Sequence, residues 1–399
     1  MSAKVRNILI SGGGIAGPTL AYWLLRRGFT PTIVEQAPSP RTGGYVIDFW
    51  GLGWEVAERM GLTPMLLRDG YRMNEVRLVN RSGQPVARLD VDVFRAAAED
   101  RFISIHRGDL ASGIYSLIDG KVETIFGDSI AAIQQDPDGV DVGFAHSAPR
   151  HFDLVVGADG LHSNLRKLAF GDEGRFERYL GYYAASFNTP SYPIRDEGVY
   201  VSYALPGRQL GRYALRDGRT TFFFVFIGPP HPYQDRMDKP EQKAALRQAF
   251  GEAGWECTEI LDAMKSSNDL FFDAVSQVRM DRWSDRRVVL LGDACFCPSL
   301  LAGQGSALAM AGAYVLAAEL EAAAGDYATA LGNYQQRFKP FIDEKQKGAV
   351  RSAGWFAPRT RLSVQVRNLA TRFMNMPLIS TWMVKRMFAD QFDLSALPG

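Results

Sequence analysis

Asn7-Ile8-Leu9-Ile10-Ser11-Gly12-Gly13-Gly14-Ile15-Ala16-Gly17 opens a stretch that runs through apolar residues to Gly28 and on to Thr32-Ile33-Val34-Glu35-Gln36. The apolar run Ile8 to Ile10 reads as a strand that enters Gly12-x-Gly14-x-x-Gly17. A helix is expected from about Ala16 to Arg27, and a second strand from Thr32 to Val34 that ends at Glu35. This is a βαβ unit with a glycine fingerprint at its first turn and an acid 18 residues beyond the last glycine. Gly12 permits the tight turn, Gly14 removes a Cβ that would block a pyrophosphate, and Gly17 lets helix and strand approach closely. Ile15 and Ala16 start a helix whose N-terminus offers free N–H groups and partial positive charge to phosphates. Glu35 is placed to accept hydrogen bonds from a ribose. The glycine pattern alone is weak evidence. With strand, helix and acid in place, it points to dinucleotide binding.

The 399 residues exceed one small core, so two or more subdomains are expected. Hydrophobic residues at 46% and charged residues at 22% are those of ordinary soluble proteins. A formal net charge of +1 supplies no basic field, and no basic–aromatic pattern appears, so no nucleic-acid partner is expected. Three cysteines (Cys257, Cys295, Cys297) make no disulfide framework, which fits a reducing compartment. With no charged-then-apolar leader and no run of about 18 apolar residues, a cytoplasmic location without a membrane span is expected. Cys295-x-Cys297 lacks nearby partners for a metal, and none of the five histidines has a hydrolase-triad signature.

Further along, Arg41 and Gly43-Gly44 sit in a loop, and Tyr45 to Phe49 alternates apolar and polar with Asp48 inside it. Trp54 to Met60 reads as a helix, and Arg77–Val79 with Val86–Leu89 as a hairpin. Ile103 to Ile105 reads as a strand before a helix that begins at His106-Arg107, with Asp109 in its first turn. Residues 121–154 read as a three-stranded meander that ends in Phe152 to Val156. Gly157-Ala158-Asp159-Gly160, with Ser163 and Arg166, forms a second strand-to-helix turn. Residues 179–228 alternate at strand spacing and are rich in Tyr and Phe. Arg287 to Leu291 is an apolar strand that ends in Gly292-Asp293, so Asp293 lies at the carboxyl edge of a sheet, where ligands bind. Gly303-Gln304-Gly305 opens a long apolar helix, and a further helix from Tyr327 is expected to stop at Pro340. Separation of the three loop motifs by aromatic strands predicts a dinucleotide fold interrupted by a β-rich insertion.

These three motifs together resemble the class A flavoprotein (FAD-dependent) aromatic monooxygenases. In layout the chain is similar to the p-hydroxybenzoate hydroxylase-like enzymes, and in pattern closer to the tetracycline-inactivating ones. The resemblance implies an α/β fold: a Rossmann-like FAD-binding domain (1–75, 100–178 and 275–340), a β-rich substrate-binding domain (76–99 and 179–274) and a C-terminal helical segment (341–399). It implies that FAD lies against Gly12, Gly14, Ile15, Ala16, Gly17, Glu35, Arg41, Arg107, Asp159, Asp293, Gly303, Gln304 and Gly305, with NAD(P)H as a transient reductant. The implied reaction transfers an OH group from a flavin C4a-hydroperoxide, formed with O2, to an aromatic or polyketide-like polycyclic substrate, with antibiotic modification among its uses. One loop departs from the family pattern: Cys295 and Phe296 stand in place of Ala and His, and Leu300 in place of a proline beside the flavin.

The aromatic block suits a large, flat substrate. Tyr203, Phe222, Phe224, Leu300 and Arg212 are the candidate substrate contacts, with Arg212 either holding an anionic or carbonyl oxygen or standing exposed on its strand. No residue is assigned as a substrate base, no metal is expected, and a monomer or dimer is expected. A flavin reductase or dehydrogenase of the same fold and a non-catalytic FAD-binding protein stay open. The Trp-x-Trp-x-Ile signature of flavin halogenases is absent. The tail carries Trp355, Phe356, Leu362, Val366, Leu369, Phe373 and Met374 at helical spacing among arginines. This apolar stripe is expected to pack across the two subdomains rather than lie on an anionic membrane.

Overall fold

The computed structural model describes residues 5–40, 43–230, 237–267, 269–375 and 392–397. Ile8, Leu9 and Ile10 are fully buried, so strand Asn7–Ser11 is covered on both faces, as the centre of a parallel sheet requires. It pairs in parallel with Thr30–Glu35 on one side and Leu154–Gly157 on the other. Glu123–Phe126 extends the first side. Val288–Leu290 and then the antiparallel Ser284–Asp285 extend the second, giving six strands. Helices Ala16–Arg26 and Gly305–Ala322 pack on this sheet and on each other. Helix Gly305–Ala322 is almost wholly buried.

The expected meander is corrected here. Ile130–Gln135, Val140–Phe144 and Arg150–Phe152 form the three antiparallel strands, while Glu123–Phe126 and Leu154–Gly157 leave them to join the parallel sheet. Continuous burial of Leu154, Val155 and Val156 marks a two-face-covered strand, unlike the alternating pattern of Val140–Phe144.

A second sheet has seven strands in the order Phe271–Val278, Glu177–Thr189, Thr220–Ile227, Arg208–Ala214, Val199–Leu205, Glu75–Val79 and Pro85–Asp90. One face carries Phe187, Tyr203, Leu210, Phe222 and Phe224 under helices Lys239–Phe250 and Cys257–Ala263. The other face looks back toward the parallel sheet. Between them lies a two-stranded ribbon, Val46–Trp50 against Phe102–His106.

The helix from Tyr327 does not stop at Pro340 but continues to Phe356. A proline inside a helix costs about 3 kcal/mol. Phe338, Phe341, Ile342 and Gln346 are buried around it, and burial of each large apolar side chain returns roughly 1.5–3 kcal/mol. Gln346 also ties the two sheets' loops: its Nε2 donates to the Val278 carbonyl (2.6 Å) and the Cys297 carbonyl (3.2 Å).

The expected packing of the tail stripe is also corrected. In helix Arg361–Met374 the residues Leu362, Val366, Leu369 and Phe373 point outward, 49–69% exposed, and the buried residues are Arg367 and Thr371. The helix covers edge strand Pro85–Asp90, whose backbone groups need partners. Arg372 Nε donates to the Val86 carbonyl (2.6 Å), Asn375 Nδ2 donates to the Arg88 carbonyl (2.7 Å), and Asn375 Oδ1 accepts from Asp90 N–H (3.0 Å). Among the described residues, no helix is long and apolar enough to cross a membrane.

Candidate functional site: a recess between the glycine loop and the seven-stranded sheet

The glycine turn is shaped by its neighbours. Gly12 has φ +113°, and a Cβ there would overlap the Ala158 carbonyl. A Cβ on Gly17 would overlap the Gly12 carbonyl oxygen. Gly14 differs: the nearest protein atom to an added Cβ is Arg107 Nη2, 3.9 Å away. Its hydrogen therefore borders open space roofed by a guanidinium, a cradle for an anion. Ile15 and Ala16 are buried at the start of the helix behind it. Glu35 is buried, with Oε2 accepting from Gly13 N–H (2.6 Å) and Oε1 from Ala37 N–H (2.8 Å).

Arg107, half-buried, begins helix Arg107–Ser116. Preceding it, His106 Nε2 lies 3.1 Å from the Gly44 carbonyl, which fixes the Gly43-Gly44 loop against this helix. Asp293 lies at the end of strand Val288–Leu290, and its Oδ1 is 3.5 Å from where a Gly305 Cβ would be, beside the N-terminus of helix Gly305–Ala322. Burial raises the Asp293 carboxyl pKa, while Arg107 and a hydrogen bond with Cys297 pull it down. Gly303, in the left-handed conformation, and Gln304 complete that loop. Asp159 Oδ1 accepts from Ser163 Oγ (2.5 Å) and Oδ2 from Leu165 N–H (3.0 Å), so its carboxylate is engaged in its own turn. Arg41 lies outside the described residues. Cys295 and Cys297 are buried, and burial pushes both thiols well up.

Four of the five candidate substrate contacts lie on the helix-covered face of the seven-stranded sheet. Tyr203, Phe222 and Phe224 belong to the core under the two outer helices, on the face turned away from the glycine loop, and Tyr203 Oη donates to the Ala253 carbonyl (2.6 Å). Arg212 shares that face. It is 3% exposed and paired with Asp196 (2.7 Å) and Glu256 (2.8 Å), beside an outer cleft of about 480 Å³. Side chains alternate across a sheet, so a shift of one residue moves the whole set to the other face. Leu300 lies on the inward side, packed with Tyr182, Phe223 and Phe356.

The inward face carries Asn188, Tyr200, Gln209, Tyr213 and Phe223. Asn188 Nδ2 donates to the Gly44 carbonyl (3.4 Å), and Tyr45 packs against Phe223 and Phe271 at 6.0 and 5.3 Å between centroids. Asp48 and Ser104, opposite each other in the ribbon, form a hydrogen bond of 2.6 Å with the hydroxyl donating. Tyr45, Asp48, Tyr200 and Asp293 share one property. Each keeps solvent-accessible surface, yet burial raises the pKa of each, that of Tyr45 to about 12. Tyr45 stands within electrostatic reach of Arg107 and Asp293, and Tyr200 of Asp48, so these accessible groups gather between the glycine loop and the seven-stranded sheet. Asp48 lay inside an alternating segment in the sequence. Only its position in the ribbon shows what it faces.

A parallel sheet with an anion cradle at its first turn, joined to a second sheet across a recess, defines a dinucleotide-binding flavoprotein architecture. The family of the FAD binding domain matches residues 6–344, and the chain belongs to it. An uncharacterized protein of Mycobacterium tuberculosis is 38% identical over 86% of this chain and 92% of its own length. A flavin-dependent monooxygenase of Legionella longbeachae is 34% identical over 92% and 93%. The crystal structure of tetracycline destructase Tet(55) superposes with a TM-score of 0.83 at 30% identity over 99% of both chains. The protein is an FAD-dependent monooxygenase.

Proposed function

We propose that this monooxygenase hydroxylates a flat, polycyclic phenolic or polyketide-like compound bound in the recess between the glycine loop and the seven-stranded sheet. The observation that carries this reading is a set of partly exposed side chains between the glycine loop and the sheet: the rings of Tyr45, Phe223 and Phe271, which pack on one another, and the hydroxyl of Tyr200. Such a set suits a ligand that is apolar on its faces and oxygenated at its rim. The tetracycline destructases, similar in fold and sequence, are named for a polycyclic compound of this kind.

In this reading residues 1–75, 100–178 and 275–340 hold FAD, and residues 76–99 and 179–274 hold the substrate. Gly12, Gly14, Ile15, Ala16 and Gly17 cradle the pyrophosphate under Arg107, and Glu35 takes the adenosine ribose. Asp293 accepts a hydrogen bond from the ribityl chain, and the Gly303-Gln304-Gly305 end of its helix faces the flavin ring with positive potential. Asp159 holds the turn that borders the cofactor. Bound FAD, reduced by NADH or NADPH and then reacting with O2, supplies the electrophilic oxygen. The chain itself orients the substrate and keeps water from the reacting atoms. Measurement of NAD(P)H oxidation together with oxygenated product by mass spectrometry, across polycyclic phenols, tests the proposal. Product containing one added oxygen supports it. NAD(P)H consumption without any oxygenated product favours a reductase instead.

A further inference from the structure

Asp48 is the carboxylate of the two-stranded ribbon. It stands on strand Val46–Trp50, three residues and about 10 Å beyond Tyr45, between the cofactor loops and the seven-stranded sheet. On the same strand Trp50 reaches to 4.0 Å from the position of an added Gly303 Cβ. Its cross-strand partner Ser104 lies three residues before Arg107. Across the recess, Tyr200 of strand Val199–Leu205 and Tyr213 of strand Arg208–Ala214 are the titratable groups that feel its charge.

The carboxylate is solvent-accessible, and its Oδ1 accepts a hydrogen bond from Ser104 Oγ. Ser104 is itself buried, and its backbone is bridged to Tyr71 by a Tyr71 N–H to Ser104 carbonyl bond of 2.6 Å and a Ser104 N–H to Tyr71 carbonyl bond of 3.2 Å, so it holds Oδ1 from a rigid frame. Among the described residues, Oδ2 accepts no hydrogen bond. If Asp48 served only to pair with Ser104, an uncharged amide would do so without the desolvation of a carboxylate. Burial raises the Asp48 pKa, and the carboxylate of a weaker acid is a stronger base.

We propose that Asp48 is the general base that removes the proton from a phenolic or enolic hydroxyl of the substrate during hydroxylation. This rests on the phenolic substrate class proposed above. The substrate O–H bond breaks, its electron pair stays on oxygen and enters the ring, and the proton forms a bond to Oδ2. The ring carbon ortho or para to that oxygen becomes the nucleophile that takes up the oxygen supplied by the flavin and O2. When the product rearomatises, the ring C–H proton leaves to water and Asp48 returns its proton to the substrate oxygen. Ser104 is a positioning residue.

The full-length, FAD-loaded enzyme is assayed with hydroxyanthraquinones and their O-methyl ethers. NAD(P)H consumption and hydroxylated product are both measured. The wild type is expected to hydroxylate the phenols at least 100-fold faster than the ethers. Asp48→Asn should slow product formation by about 10²–10⁴-fold. FAD content, melting temperature and anaerobic flavin reduction without substrate should stay close to wild type. The variant's rate should climb as the pH approaches the phenol's own ionisation, and Asp48→Glu should recover part of it. Ser104→Ala, which removes a hydrogen bond that lowers the carboxyl pKa, should move the acid limb of the pH–rate profile up by about one unit. Ethers turned over as fast as phenols would overturn the role of Asp48 and leave the monooxygenase reading standing. So would an Asp48→Asn variant with wild-type rate and pH profile, or one equally impaired at every pH. No hydroxylated product from any phenol would overturn both.

Discussion

Substitution of Gly14 and Gly17 by alanine separates cofactor binding from folding. The two glycines are three residues apart in one turn, but an added methyl meets different things. At Gly17 it would overlap the Gly12 carbonyl oxygen and press Ile10 Cγ2 at 3.2 Å, so the helix must move off the strand. Overpacking of this kind costs typically 1–3 kcal/mol, and more where the obstacle is backbone. At Gly14 the nearest protein atom is 3.9 Å away, an ordinary van der Waals distance, so the cofactor-free protein should melt within a degree or two of wild type. On the proposed cofactor placement, that methyl would occupy the space of the pyrophosphate. Loss of one hydrogen bond to a charged group, worth about 1.5–3 kcal/mol, weakens binding roughly 10- to 200-fold. The assay is thermal melting of deflavinated protein beside fluorescence titration with FAD. The reasoning predicts Gly14→Ala normal in the first and weak in the second, and Gly17→Ala impaired in both. A Gly14→Ala protein that retains FAD like wild type, or that is destabilised as much as Gly17→Ala, would refute it.

Asp293→Ala should weaken FAD binding about 10-fold or more while the cofactor-free protein keeps its unfolding midpoint; equal losses in both would make the residue purely structural. Tyr203→Phe should cost about 1 kcal/mol of stability, from the bond to Ala253, and leave turnover unchanged, whereas Tyr200→Phe should change KM or product yield; the opposite pattern would reverse the assignment of the sheet faces. Gln346→Ala removes the side-chain donor to the Val278 and Cys297 carbonyls, the latter keeping the Val278 N–H, and should destabilise by about 1–3 kcal/mol in urea denaturation, an effect that an unshifted midpoint would exclude. For Asp128, burial works against ionisation, but hydrogen bonds from Ser147, Ser129 and His146 prevail and lower its pKa to about 2. Its folded pKa lies below the unfolded value, so its stabilisation is present above about pH 4 and lost as pH falls toward 2. The stability gap between wild type and Asp128→Asn should therefore close over that window, and a gap unchanged between pH 5 and pH 2.5 would refute the attribution.

The glycine turn was legible because its logic is local: strand, turn, helix and acid lie within 30 residues, and each glycine answers a steric demand nearby. The places of Asp293 and Arg107 in the fold were legible for a related reason, since each stands at the end or start of an element at a recognisable loop. The parity of the seven-stranded sheet was not legible. Both faces carry packed aromatic side chains, so apolar residues at alternate positions do not say which face looks toward the glycine loop. A cue was present in the polar residues: Asn188, Tyr200, Ser202, Gln209 and Thr221 all fall on the inward parity, while Phe222, Phe224 and Leu210 fall on the outward one. The tail misled for a different reason. Its spacing defines an apolar stripe correctly, but the surface it meets is a strand edge. That edge needs hydrogen-bonding partners, so the polar side of the helix docks. Pro340 was read as a stop because local propensity cannot register the burial of Phe338 and Ile342 beside it.

The central sheet joins strands from opposite ends of the chain: Asn7–Ser11 pairs with Leu154–Gly157, which pairs in turn with Val288–Leu290. On the ribosome, at roughly 5–20 residues per second, the first strand therefore waits tens of seconds for the strand that carries Asp293 to its place. Until then an apolar strand buried on both faces in the finished protein has an open flank. Contacts of such long sequence separation fold slowly and leave unpaired edges exposed to other chains. Yield in a foreign host should thus depend on growth temperature and chaperone supply more than on the stability of the finished enzyme.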